Sequence, residues 1–265
     1  EAPSLPVSEA ILKGLAPDGG LYVPERLPRL DTSVLDPNLP YDELAARVLA
    51  PFFEGDVLES SLPDLSKSAF TFPVELHDLA AGEKQVLELF HGPTAAFKDF
   101  GARFLAAVME KLQEGARDEL TILVATSGDT GGAVASAFFK RENIAVRVLF
   151  PEGRVSERQQ KQLTCWGENI RSYAVRGAFD DCQRVVKEAF VSPEIAKVHR
   201  LSSANSINLG RLLPQVVYYV WASLKFREET GQEPLVIVPS GNVGNSVGAY
   251  YAKEMGAPIR RIVLA

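Results

Sequence analysis

The sequence predicts an α/β protein, with parallel sheet flanked by helices on both faces and a mixed segment ahead of it. Two observations carry this. From Gln85 onward, short apolar runs of strand length alternate with segments of helical periodicity. Two glycine-rich stretches, Ser127–Gly131 and Ser240–Asn245, follow directly on such runs. That is where open α/β sheets bind ligands, at the carboxyl ends of strands. The composition agrees: 265 residues, 46% hydrophobic and 23% charged, make an ordinary globular chain with room for one large or two small domains.

Residues 1–80 are rich in proline and turn residues. Ser8–Leu15 reads as a short helix capped by Ser8, Asp18-Gly19-Gly20 as a turn, and Leu21–Val23 as a short strand ending at Pro24. Tyr41–Phe53 reads as an amphipathic helix with Leu44, Val48 and Leu49 on one stripe, and Leu62–Ala69 as another helix. This segment is expected to be a packing domain that closes one side of a site. Residues 81–265 carry the α/β region. Lys84–Phe90 is a strand, followed by a helix over Phe100–Leu112 with Phe104, Leu105, Val108 and Leu112 inward. Further strands are expected at Leu120–Ala125, Ala145–Phe150, Ile170–Val175, Leu235–Val238 and Arg261–Leu264. Helices are expected at Gly131–Lys140, Ser156–Trp166, Phe179–Phe190, Leu209–Arg227 and Asn245–Met255. The chain stops on a run that reads as a buried strand with no helix after it. A doubly wound sheet rarely ends so bare, so the C-terminal part is expected to be missing.

Several function classes are disfavoured. A net charge of −6 and a pI near 5.3 argue against nucleic acid as a partner, which calls for a basic stripe. No run approaches the ~20 apolar residues of a membrane span, and no signal peptide is visible at Glu1. Cys165 and Cys182 read as two reduced cysteines in or near a core, which suits a cytoplasmic protein. His77, His91 and His199 are too scattered to predict a metal site.

The chemistry concentrates in four stretches. Lys98 stands at a loop-to-helix junction between Phe97 and Phe100. Desolvation beside aromatic rings disfavours an ammonium and favours the nucleophilic amine. Pro239-Ser-Gly-Asn-Val-Gly-Asn245 joins small residues to a helix start, so successive N–H groups can converge on a phosphate. It fits neither a dinucleotide nor an ATP fingerprint. Thr126-Ser-Gly-Asp-Thr-Gly131 offers hydroxyls and amides to a carboxylate. In Asn205-Ser-Ile-Asn-Leu-Gly-Arg211, Arg211 offers a planar fork suited to phosphate, and a helix running from Ser206 would put Asn208 on its face. Arg154 is a weaker candidate. Each stretch also has a plainer reading, as a solvated lysine, a strand–helix turn, a capped turn, or a cap with a solvated arginine.

Taken together, these stretches resemble a known family. His91-Gly-Pro-Thr-Ala-Ala-Phe-Lys-Asp-Phe-Gly101 is similar to the cofactor-lysine motif of threonine synthases, which are fold-type II pyridoxal-phosphate (PLP) enzymes. The other three stretches match that family in the same order, and Ala16–Pro24 resembles its N-terminal segment. The resemblance implies a tryptophan synthase β-like fold, with about 103–215 as a smaller mobile lobe and 216–265 as the start of a larger one. It implies PLP on Lys98 beside Phe97, with Ser240, Gly241, Asn242, Val243, Gly244 and Asn245 on the cofactor phosphate. Asp129 would lie near the cofactor's ring oxygen, where many fold-type II relatives carry Asn. Thr126, Ser127, Gly128, Asp129, Thr130 and Gly131 would bind the substrate carboxylate. Asn205, Asn208 and Arg211 would bind its phosphate. The implied reaction converts O-phospho-L-homoserine and water to L-threonine and phosphate, with Lys98 as base. The same motifs would serve a phospho-lyase that releases 2-oxobutyrate. A chain without its C-terminal part, where the family places the partner of the pyridine nitrogen, could instead be inactive. A monomer or a homodimer is compatible with the sequence.

Overall fold

The computed structural model of the chain describes residues 3–79 and 84–265. Pro6 opens the first helix, α1 (Val7–Lys13), and Gly14 at φ +73° stops it. Ser8 is not its cap. The Ser8 N–H and hydroxyl both donate to the Asp56 carboxylate, at 3.0 and 2.8 Å, which ties α1 to a later turn. Leu21–Val23 is not a strand either, since no neighbouring strand pairs with it. The second helix, α2 (Tyr41–Leu49), is shorter than its apolar stripe. Pro51 supplies no N–H, and the chain tightens into a 3₁₀ turn over Ala50–Phe52. The next helix, α3 (Leu62–Ala69), falls where expected.

The expected strand 84–90 is observed as β2 (Gln85–Glu88), antiparallel to an unexpected partner, β1 (Glu75–Asp78). Two four-residue strands carry too little periodicity to be read singly. The expected boundary between residues 80 and 81 lies outside the described residues. The following helix, α4, spans Lys98–Gln113, so Lys98 is its first residue rather than a loop residue before it.

The core sheet then assembles in alternation: β3 (Leu120–Ala125), α5 (Asp129–Phe138), β4 (Ile144–Pro151), α6 (Glu157–Thr164), β5 (Ile170–Val175), α7 (Phe179–Val191), the short α8 (Pro193–Ala196) and β6 (Arg200–Ser203). The sheet order is β5-β4-β3-β6, and every pairing is parallel. β6 escapes sequence reading because Ser202 and Ser203, both buried, replace the usual aliphatic residues. The period of two divides β3 and β4 between two faces. Ile122, Val124, Val146 and Val148 join the main core with Ala133 and Val134 of α5. Ala125 and Leu149 point the other way, onto Cys182 and Val186 of α7. Helices therefore cover both faces, as a parallel sheet requires. Cys182 is buried as expected, whereas Cys165 is exposed; both thiols are free.

The long helix α9 (Leu209–Thr230) leads into β7 (Leu235–Val238), α10 (Gly244–Glu254) and β8 (Arg261–Leu264), which pairs parallel to β7. α4 and α9 form the centre of the molecule. They touch at Gly101, where a Cβ would meet the Arg211 carbonyl oxygen at 2.6 Å. Phe100 sits in the same contact with no exposed surface, ringed by Phe72 at 4.7 Å, Tyr218 at 5.4 Å and Tyr41 at 5.8 Å between ring centroids. This packing fixes the first turn of α4, and with it Lys98. Among the described residues, no helix is long and apolar enough to cross a membrane.

Candidate active site

Local hydrogen bonding shapes the turn before Lys98. The buried Asp99 carboxylate accepts from the Thr94 N–H at 2.9 Å and the Thr94 hydroxyl at 2.7 Å. A carboxylate in a first helical turn also meets the positive end of the helix. Ala95 adopts φ +53° within this turn, and a side chain at Gly92 would collide with Asp99. Asp99 thus staples the loop to the helix. The sequence reading missed it, although an acidic residue directly after the lysine in a first turn was a usable signal.

The Lys98 side chain is 21% exposed. Its Nζ lies 4.5 Å from the centroid of the Phe97 ring and 3.7 Å from Asp129 Oδ2. Burial holds the Lys98 ammonium below the ordinary lysine range; Asp129 pulls the other way, and the Arg211 cation reinforces burial. A cation at the first position of a helix is disfavoured for the same electrostatic reason. The site can therefore present a neutral amine next to a carboxylate.

The loop after β3 is organised by Thr126. Its hydroxyl accepts from the N–H groups of Gly128 and Gly131, at 3.0 and 2.9 Å, and donates to the Gly128 carbonyl. Thr126 is thus committed to the loop itself, while Ser127 is exposed and Thr130 half-buried. Gly131 is a packing glycine, since a Cβ there would run into Thr126 and Leu163. Asn205 anchors the second loop by donating from Nδ2 to the Ala125 carbonyl at 2.8 Å, which joins it to the end of β3.

Asn208 is not on a helical face with Arg211. It is the N-cap of α9, with Oδ1 accepting from the Gly210 N–H at 2.8 Å. Its Nδ2 donates to the carbonyls of Ile11 and Ser203, both at 2.9 Å, so it also ties α1 to the sheet. Arg211 is 1% exposed; Nη1 donates to the Ala204 carbonyl at 2.7 Å, and Nε has no partner among the described residues. Burial lowers its pKa to about 10, against the pull of Asp99. Arg211 is therefore an enclosed cation beneath Lys98 rather than a surface fork.

The third loop follows β7. Val243 adopts φ +60°, a conformation that a β-branched residue rarely holds. The N–H groups of Gly241, Asn242 and Val243 have no partner among the described residues. They precede the N-terminus of the 11-residue α10, an arrangement suited to an anion. Asn245 turns inward, where its Oδ1 accepts from the hydroxyls of Tyr218 and Tyr219 at 2.6 and 2.9 Å.

These three loops converge on one cavity of about 1070 Å³. Thr126, Ser127, Thr130, Asn205, Asn242 and Gly244 line it. Leu15, Leu21 and Tyr22 of the N-terminal segment line it as well. Asn208 also lines it, whereas Lys98, Asp129 and Arg211 do not; Lys98 reaches the site through Asp129 on the Thr126–Gly131 loop. The β1–β2 pairing also brings Glu75 beside Glu88 and His91: the three place ligand atoms within 4.8 Å of one another, with His91 Nε2 2.9 Å from Glu88.

Known proteins resemble this chain in sequence and fold. Residues 1–70 match the family model described as "Threonine synthase N terminus", and residues 78–265 match "Pyridoxal-phosphate dependent enzyme". The threonine synthase of Haemophilus influenzae is 43% identical over 258 residues, covering 97% of this chain and 60% of that protein. That of Escherichia coli is 40% identical over 261 residues with the same coverage. Its crystal structure superposes with a TM-score of 0.89 over 97% of this chain and 60% of the other, at 39% identity. A PLP-bound threonine synthase from Brucella melitensis gives the same TM-score and identity over all of this chain and 58% of the other. The chain thus spans about 60% of the length of the curated relatives it matches. By the match over residues 78–265 and by its fold, the chain belongs to the pyridoxal-phosphate dependent enzyme family.

Proposed function

We propose that the chain is the cofactor-binding portion of a threonine synthase, which converts O-phospho-L-homoserine and water to L-threonine and phosphate with PLP held by Lys98. One observation carries the reading: three loops at the carboxyl ends of parallel strands meet at one cavity, beside a desolvated lysine. The residues fit the cofactor. The free N–H groups of Gly241, Asn242 and Val243, with the start of α10, suit its phosphate, together with Ser240 and Gly244. Phe97 packs against the lysine that would carry it.

PLP, when bound, supplies the electron sink for deprotonation next to the amino group. The protein supplies position and proton transfer. Lys98 is the base for the α-proton, because burial favours its neutral form. Asp129 sits where it can hold the proton-bearing lysine close after transfer. Ser127, Thr130 and Asn205 bind the anionic groups of the substrate, helped by the backbone at Gly128 and Gly131 that Thr126 arranges. Asn208 and Arg211 support the site from beneath: the first caps α9, and the second supplies buried positive charge. The N-terminal segment contributes Leu15, Leu21 and Tyr22 to the cavity wall. We also place the protein in the cytoplasm, in keeping with its two free thiols.

The test adds PLP and then O-phosphohomoserine to the purified protein. An absorption band near roughly 410–420 nm, absent in K98A, followed by threonine and phosphate, supports the proposal. Release of 2-oxobutyrate instead would convert the reading to a phospho-lyase. A band that persists unchanged in K98A would overturn the assignment of Lys98.

A further inference from the structure

We propose that Gln159 is a positioning residue for the Lys98–Asp129 pair: its amide holds the Asp129 carboxylate in the orientation that faces Lys98. Asp129 is half exposed at the first position of α5, so its side chain alone is free to rotate into solvent. Two side chains flank it. Gln159 Nε2 donates to Oδ1 at 3.0 Å, and Lys98 Nζ stands 3.7 Å from Oδ2. With one oxygen tethered, the other is left to the lysine.

The tether is itself anchored. Gln159 is the N3 residue of the capping box that starts α6. Its Oε1 accepts from the Ser156 N–H at 3.2 Å and the Ser156 hydroxyl at 3.1 Å, while the Gln159 N–H donates to Ser156 Oγ. With the carbonyl end committed to the cap, the amide's NH₂ end faces Asp129; the opposite assignment would set oxygen against oxygen. Gly128 makes room for this contact. It stands at φ +153°, and a Cβ there would collide with the Gln159 amide. The start of α6 is thereby linked through Gln159 and Asp129 to Lys98, across three elements distant in sequence.

The charged groups around Lys98 are Asp129 from α5 and Arg211 from α9, with Asp99 on its own helix balancing Arg211. Of these, only Asp129 is held by a side chain of α6. The inference rests on the cofactor-lysine reading for its catalytic meaning, but its test runs on the cofactor-free protein. Trace acetylation with acetic anhydride, read by mass spectrometry of the Lys98 peptide across pH, reports the midpoint at which the amine becomes neutral.

In D129N that midpoint should fall by about one pH unit, from the loss of a carboxylate at this distance in a water-like dielectric. In Q159L it should move the same way, raising Lys98 labelling at fixed pH by about threefold. The double variant Q159L/D129N should match D129N alone, because Gln159 acts through Asp129. S156A weakens the same cap but keeps the Ser156 N–H bond to Gln159, so its labelling should stay within about twofold of wild type. The proposal is overturned if Q159L labels like wild type, if its shift persists in full on D129N, or if S156A reproduces it. A wild-type protein that takes up no PLP at Lys98, with the Q159L shift intact, would sink the functional reading and leave this one standing.

Discussion

Phe100 offers the sharpest stability prediction, because its surroundings are fully enclosed. Its side chain has no exposed surface, and four aromatic rings lie within 6.3 Å of its centroid: Phe72, Tyr218, Tyr41 and Phe70. Truncation to Ala removes a complete buried ring and leaves a cavity between rigid neighbours, which costs about 3–5 kcal/mol. Leucine refills most of that volume but forfeits the edge-to-face geometry, so F100L should lose only about 1–2 kcal/mol. Against a typical total of roughly 5–15 kcal/mol, the first change is severe and the second tolerable. Urea unfolding followed by tryptophan fluorescence measures both, with Trp221 on α9 as a nearby reporter. A loss below about 2 kcal/mol for F100A would show that the ring can be vacated and the helices can close over it. F100L as damaging as F100A would show that ring geometry, not volume, dominates. The first result would refute the claim that packing at Phe100 seats the start of α4; the second would refute the volume argument for it.

Further outcomes follow from the same contacts. N245L leaves the hydroxyls of Tyr218 and Tyr219 without their shared acceptor and should cost roughly 2–4 kcal/mol in urea unfolding, against about 1 kcal/mol for Y219F. G101A drives a methyl into the Arg211 carbonyl and should cost about 1–3 kcal/mol, with weaker PLP retention on dialysis as α4 is displaced from α9. Lys98 makes stability depend on pH. Its folded pKa lies below its ordinary value of 10.5, so below the folded pKa the buried ammonium opposes folding, and this penalty is relieved as pH rises toward 10.5. K98M should therefore melt higher than wild type at neutral pH, and the gap should narrow as pH approaches that value; a constant gap would contradict the burial argument.

The sequence by itself determined the elements of the α/β region and the loops that follow its strands. β3, β5, β7, β8 and α3 lie at the predicted bounds, because long apolar runs between turn residues leave few alternatives. It also singled out Lys98 and the three loops as candidates, from glycines, small hydroxyls and a lysine beside aromatics, and above all from the resemblance of these stretches to a known family. What it could not show is which polar groups face the cavity and which are turned into the fold. Asn245 resembles a ligand-binding amide in sequence, yet it receives two tyrosine hydroxyls from α9, and Asn208 both lines the cavity and caps α9. Arg211 resembles an anion fork, yet it is sealed beneath Gly101. β1 and β6 were invisible because four residues, or buried serines, carry little periodicity. Gln159 drew no attention at all, because its meaning arises only when α6 is brought against α5. Local pattern reports the backbone of an element, whereas the work of a polar side chain depends on the partners that tertiary packing sets beside it.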